Sequence, residues 1–210
     1  MSVKRLLSGV AIAALTTVVI GAQAPKLPAS PAGAAQVQVG GKWATVQGEP
    51  AYQGGKWIEI TYGRPGLKGR TSVFGSGANY GKDVNAGAPV WRAGANVTTR
   101  LRNEVPLVIG GKTIAPGEYS VFIDLKEGAW TLVLSTWEAQ KTYDPNNKAA
   151  LWGSFGYTAD KDVVRVPMKM SKNTMTVEQL TWDFVNMTVT GGEMAIMWEK
   201  DVATVPFKLG

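Results

Sequence analysis

Apolar and polar residues alternate with a period of two along much of this chain, and glycine-rich turns break the alternation at short intervals. An extended strand sets successive side chains on opposite faces, so the pattern restricts the fold before any motif is considered. Trp57–Tyr62 sets Ile58, Ile60 and Tyr62 against Trp57, Glu59 and Thr61, and Val97–Arg102 sets Val97, Thr99 and Leu101 against Thr98, Arg100 and Arg102. Similar stripes run through Val164, Val166, Met168 and Met170, through Leu180, Trp182 and Phe184, and through Met194, Ile196 and Trp198. Gly110-Gly111-Lys112, Ala115-Pro116-Gly117 and Lys126-Glu127-Gly128 read as tight turns between strands. About nine strands result, which predicts an all-β fold: an antiparallel β-sandwich, jelly-roll-like or a partly closed barrel. Pro167 and Pro206 cannot donate to a ladder and belong in edge strands or bulges. Val73–Pro89 and Glu138–Tyr157 are irregular and long enough to be functional loops.

The N-terminus has the form of a targeting segment. Lys4 and Arg5 precede an apolar run, Leu6–Gly21, and Ala22-Gln23-Ala24 has the small-x-small form of a cleavage site. The expectation is a signal peptide over 1–24 and an exported protein, periplasmic or secreted. Pro25 sits awkwardly after that cut, so retention as a membrane anchor is the alternative. Residues 25–36 are Pro/Ala-rich and read as a linker, leaving 37–210 as a single domain.

Cysteine and histidine are both absent. Disulfides are excluded, and so are Cys-His and Ser-His-Asp catalysis. The common zinc, copper and haem ligands are missing and no Asp-rich loop suggests calcium, so neither a metal nor a cofactor is expected. The formal charge is +6; without Lys4 and Arg5, 20 cations face 16 acids, or +4. Outside the cytosol a mild positive excess favours anionic glycans, lipid headgroups or small anions, and nucleic acid is not expected. Contact with a membrane is expected only if the N-terminal segment stays attached. Oligomeric state is left open.

Two basic-aromatic stretches stand apart from the alternating background. Tyr62–Thr71 places Arg64, Lys68 and Arg70 around Pro65 and Gly66, a sequence that fits a type II turn at Arg64–Leu67. Val90–Asn96 adds Trp91, Arg92 and Asn96. Guanidinium groups match carboxylate, sulfate and phosphate oxygens, and a flat indole suits a pyranose face. The predicted ligand site is therefore Tyr62, Arg64, Lys68, Arg70, Trp91, Arg92 and Asn96, taking an anionic or carbohydrate ligand. In it the cations neutralise charge, Tyr62 and Trp91 stack, and Arg92 and Asn96 supply hydrogen bonds. Trp130, Trp182 and Trp198 fall in apolar stripes and read as core, while Trp137 and Trp152 flank the second long loop and are better placed for exposure. Two rival readings stand beside this one. Glu59, Glu138, Asp183 and Glu199 would serve an envelope hydrolase if two of them met in one cleft. A tethered structural or assembly domain would need none of these groups.

The order of several motifs resembles a known family. They are Glu59–Pro65, Lys68-Gly69-Arg70, Tyr80-Gly81-Lys82, Val90–Asn96, Gly117–Phe122, Trp152-Gly153, Trp198-Glu199-Lys200 and Val205-Pro206-Phe207. In order and spacing they are similar to the exported bacterial proteins grouped as domain of unknown function 2911, over roughly Val37 to Leu209. The resemblance implies an exported β-rich domain and no particular activity. One departure is Asp83–Pro89, which lengthens the path from Tyr-Gly-Lys to Val-Trp-Arg beside the predicted site.

Overall fold

The computed structural model describes residues 28–210. The predicted signal peptide over 1–24 lies outside the described residues. In chain order the strands are β1 (Ala32–Val39), β2 (Lys42–Val46), β3 (Glu49–Gln53), β4 (Lys56–Gly63), β5 (Thr99–Asn103), β6 (Leu107–Ile109), β7 (Lys112–Ile114) and β8 (Gly117–Asp124). They continue as β9 (Thr131–Ser135), β10 (Glu138–Ala139), β11 (Ala150–Leu151), β12 (Asp162–Pro167), β13 (Lys169–Thr188) and β14 (Gly191–Leu209). One short helical turn, α1, covers Lys82–Asn85.

Two open sheets carry the fold. One has the order β1-β4-β5-β8-β9-β12 and the other β13-β14-β6-β7. Ile58, Ile60, Leu101, Val121, Ile123, Leu132 and Leu134 of the first share a buried cluster with Leu180, Trp182, Ile196, Trp198, Val205 and Phe207 of the second. Each alternating stripe thus finds its apolar counterpart in the opposing sheet, as a sandwich requires. Neither sheet closes, so the barrel alternative does not apply.

The six-stranded sheet is also covered on part of its outer face. Phe122 and Val133 point away from the main core and join Val90, Leu151 and Tyr157 in a second buried cluster. The long loop between β9 and β12 supplies that cover. This explains why β8 and β9 are buried on both faces, where alternation would leave one face wet.

Several boundaries differ from the sequence expectation. The predicted linker is strand from Ala32 onward, with Ala32–Val39 paired antiparallel to Lys56–Gly63. Backbone bonding to β4 holds this Ala/Gln-rich stretch, and its small stripe of Ala35, Val37 and Val39 packs on the main core. The strands also exceed nine, because β1, β2 and β3 went unread and β10 and β11 are only two residues each. The stripes from Met170 to Phe184 and from Met194 to Phe207 lie within two long strands, β13 and β14. Their register jumps between Lys172 and Val177, opposite a left-handed residue, Glu199 with φ 57°. That bulge makes one strand read as separate pieces. Pro167 does lie on an edge strand. Pro206 falls between the end of β14 pairing with β13 at Thr204 and the start of its pairing with β6 at Phe207.

The end of β4 holds the tightest packing. The Ala95 N–H donates to the Gly63 carbonyl at 3.1 Å, and a β-carbon on Gly63 would overlap the Ala95 carbonyl oxygen. Gly63→Ala should therefore cost about 3 kcal/mol in urea denaturation, in the range of an overpacked interior. Gly111→Ala, where a β-carbon meets open space but φ is 78°, should cost only about 1 kcal/mol.

Candidate functional site

The contact at Gly63 brings the two basic-aromatic stretches together, but it divides their residues. Arg70, Arg92 and Asn96 line one cavity of about 230 Å³, with Pro65, Asp83 and Trp198 completing much of its wall. Trp91 also borders it, but only 1 % of its surface is exposed. Its indole N–H donates to the Gly94 carbonyl at 3.2 Å, and its ring lies nearly parallel to Trp198 with centroids 6.2 Å apart. Trp91 is floor, not a stacking platform, and the expected stacking role is withdrawn.

Tyr62 is likewise core. It is 4 % exposed, and its hydroxyl accepts the Trp182 backbone N–H at 3.0 Å. Its place on the inward stripe of β4 settles this, and it cannot stack on a ligand.

Arg64 fastens the two sheets. Its Nε donates to the Leu180 carbonyl at 3.3 Å and its Nη2 to Thr181 Oγ1 at 3.4 Å. Its stem lies over Gly33 of β1, where any β-carbon would collide with it.

Lys68 points elsewhere because the turn sits three residues later than expected. Pro65 and Leu67 exchange backbone bonds with Leu180 and Glu178, so Arg64–Leu67 is extended against β13. The reversal is at Leu67–Arg70, closed by an Arg70 N–H to Leu67 carbonyl bond of 3.0 Å. Lys68 (φ 51°) and Gly69 (φ 80°) occupy its middle. Positive φ at both central residues belongs to a type I′ turn rather than type II. Lys68 lines a separate hollow beside Pro31 and Glu178.

Two guanidinium groups therefore remain at the cavity. Arg70 donates to the carbonyls of Leu67 (3.1 Å) and Gly66 (2.8 Å), and its guanidinium carbon lies 5.6 Å from the centroid of the Trp198 ring. That geometry is a cation–π contact. Arg92 is half-buried and donates to the Asn96 carbonyl at 3.0 Å. Neither forms an ion pair among the described residues; Arg100, Arg102 and Arg165 pair with Glu118, Glu104, and Asp124 with Asp162. Burial without a compensating acid lowers the Arg92 pKa, though a guanidinium stays charged near neutrality. Trp198, read as core from the sequence, adds a buried indole N–H with no acceptor. The one acid at this cavity is Asp83, the first residue of the lengthened segment and part of α1.

A larger cavity of about 420 Å³ lies along Phe74, Tyr80, Lys172, Glu199 and Asp201. Its acids are already engaged. Glu199 accepts the N–H groups of Ser72 (2.8 Å) and Val73 (3.1 Å), and Asp201 accepts Lys172 Nζ at 2.6 Å. Lys172 is raised by that hydrogen bond. Tyr80 accepts the Trp130 indole N–H at 2.8 Å, and burial pushes its pKa up. Among the described residues no group of three acids is set to hold a metal ion. Of the four carboxylates singled out for hydrolysis only Glu199 lines this cavity: Glu59 accepts from Gln36 on β1, Asp183 accepts the Phe184 N–H, and Glu138 is exposed on β10.

A family model described as a protein of unknown function, DUF2911, matches residues 44–207. The chain belongs to this family. No curated protein and no solved structure matches it. The DUF2911 match spans both arginines, Trp198 and the lengthened segment that carries Asp83.

Tyr62→Phe should leave the Trp182 N–H without an acceptor and cost about 1–3 kcal/mol in chemical denaturation. Alkaline stability checks the other cavity. Tyr80 and Tyr157 both sit above their ordinary value of 10.0, chiefly through burial, with an Asp162 hydrogen bond adding to Tyr157. The folded state then holds more protons than the unfolded chain, so their contribution is complete below pH 10 and falls as pH rises beyond it. Denaturation midpoints should decline above about pH 10, and less steeply in Tyr157→Phe.

Proposed function

We propose that this domain binds an oxyanion-bearing ligand, free or carried on a glycan, at the cavity shared by Arg70 and Arg92. The observation that supports the reading is two guanidinium groups at one opening with no acid paired to either among the described residues. Arg92 is half-buried and Arg70 exposed at the mouth; a charge partly removed from water gains from a partner, and a carboxylate, sulfate or phosphate group supplies both charge and acceptors. Export to the cell envelope, expected from the N-terminal segment, would place this site among anionic glycans and small anions. Among the described residues no helix is long and apolar enough to cross a membrane.

The site is built for holding rather than turnover. Among the described residues nothing at the cavity pairs a nucleophile with a base, and the carboxylate of Asp83 there opposes an anion. Thermal denaturation with sulfate, phosphate and uronic-acid oligosaccharides tests the reading. One of these should raise the midpoint in a saturable way. Arg70→Ala and Arg92→Ala should each weaken that response about 10- to 100-fold, as expected for loss of a charge-assisted hydrogen bond. Asp83→Asn should strengthen it. No response to any of the three anion classes refutes the proposal.

A further inference from the structure

The long segment between β9 and β12, which includes the short strands β10 and β11, carries an aromatic surface that the oxyanion reading does not use. Tyr143 is 59 % exposed and Phe155 is 54 % exposed. With half-buried Trp152 they line a groove of about 370 Å³. The Tyr143 and Trp152 ring centroids are 5.9 Å apart. Water around exposed rings is unfavourable, and a fold that only needed to bury them would turn them inward.

The loop is held in shape from beneath. Gln140, 8 % exposed, donates through Nε2 to the carbonyls of Asn147 (3.0 Å) and Ala150 (2.9 Å). Its Oε1 accepts the Asp144 N–H at 2.8 Å. Asn147 Oδ1 takes the Ala149 N–H at 3.0 Å, and Lys148 Nζ donates to the Pro145 carbonyl at 2.7 Å. The Thr98 hydroxyl donates to the carbonyls of Leu151 and Gly153, and Leu151 is packed in the second buried cluster. The rings are therefore presented on a fixed frame, so a ligand need not order the loop.

The composition of the groove selects its occupant. A protein partner of the usual kind meets a patch whose centre is continuously apolar. Here Asp144, Asn147 and Lys148 interleave with the rings. Among the described residues Asp144 Oδ2 and Asn147 Nδ2 have no hydrogen-bond partner, leaving an acceptor and a donor beside flat apolar faces. A pyranose has the matching shape: an apolar C–H face bounded by a rim of hydroxyls. We infer that Tyr143, Trp152 and Phe155 form a saccharide-binding shelf for neutral pyranose rings, distinct from the Arg70–Arg92 cavity.

Trp152 is followed by Gly153, which has φ 64° and packs against the other cavity's arginine: a β-carbon there would lie 2.7 Å from Arg92 Nη1.

The test uses the full-length protein and four neutral probes: cellohexaose, xylohexaose, mannohexaose and chitohexaose. Binding is followed by NMR shifts of residues 140–157, with a sulfate titration run in parallel on the same sample. At least one hexaose should shift these resonances with a Kd on the order of 1 mM or tighter. Tyr143→Ala and Phe155→Ala, both at exposed positions where folding is secure, should each weaken it about tenfold or more. A blank hexaose panel beside a positive sulfate response overturns the shelf alone. A hexaose response beside a blank sulfate titration upholds the shelf and counts only against the oxyanion cavity. Hexaose binding unchanged by both substitutions overturns the shelf, as do shifts that follow protein concentration rather than saccharide.

Discussion

Phe74 is the ring on which this end of the sandwich depends. It lies within contact range of Tyr80, Trp91, Trp130 and Trp198, with centroid separations from 4.7 to 6.2 Å. It comes from an irregular stretch, and nothing in a ladder fixes it. Glu199 does so instead, by accepting the N–H groups of Ser72 and Val73 just before it. Edge-to-face contacts of this kind add about 0.5–1.5 kcal/mol each beyond area burial. The cluster plugs the gap between the sheets, and the Trp91 and Trp198 indoles, nearly parallel, then form a wall. The 420 Å³ cavity borders Phe74, and the 230 Å³ cavity borders Trp91 and Trp198.

The sheets were legible in the sequence because burial on one face imposes period two. Ile58, Ile60, Leu101, Trp182 and Ile196 all point inward as their alternation implies. The same signal vanishes where burial is absent or doubled. β2 is exposed at every residue, and β8 is buried over most of its length. β1 carries only a short, small-residue stripe, Ala35, Val37 and Val39, which its Pro/Ala-rich lead-in obscured.

The site was legible in part. Arg70, Arg92 and Asn96 line one cavity with Trp91 as its buried floor, whereas Tyr62, Arg64 and Lys68 lie elsewhere. The reasons are local. A one-strand-face argument applied to Tyr62 would have put it in the core with Ile58 and Ile60. The Pro-Gly pair suggested a turn, but extended pairing with β13 took precedence and displaced the reversal to Lys68–Gly69. Trp198 joined the cavity from a strand stripe, and its ring serves the core on one side and Arg70 on the other. Tyr143 and Phe155 gave no periodic signal at all, since loop exposure depends on the frame beneath.

The Asn96 amide donates to the Ser30 carbonyl, and the Arg64 N–H donates to that of Pro31. The polypeptide thus enters the domain at the rim of the cavity. β1 and β4 then run away from that rim for eight residues, roughly 26 Å at strand rise, before the β2–β3 hairpin projects beyond them. The exposed Trp43 sits near the base of that hairpin, paired with Tyr52, and Gln47-Gly48 form its tip. The described domain is polarised along its length, with the chain's entry and the arginine pair at one end and the β2–β3 hairpin at the other.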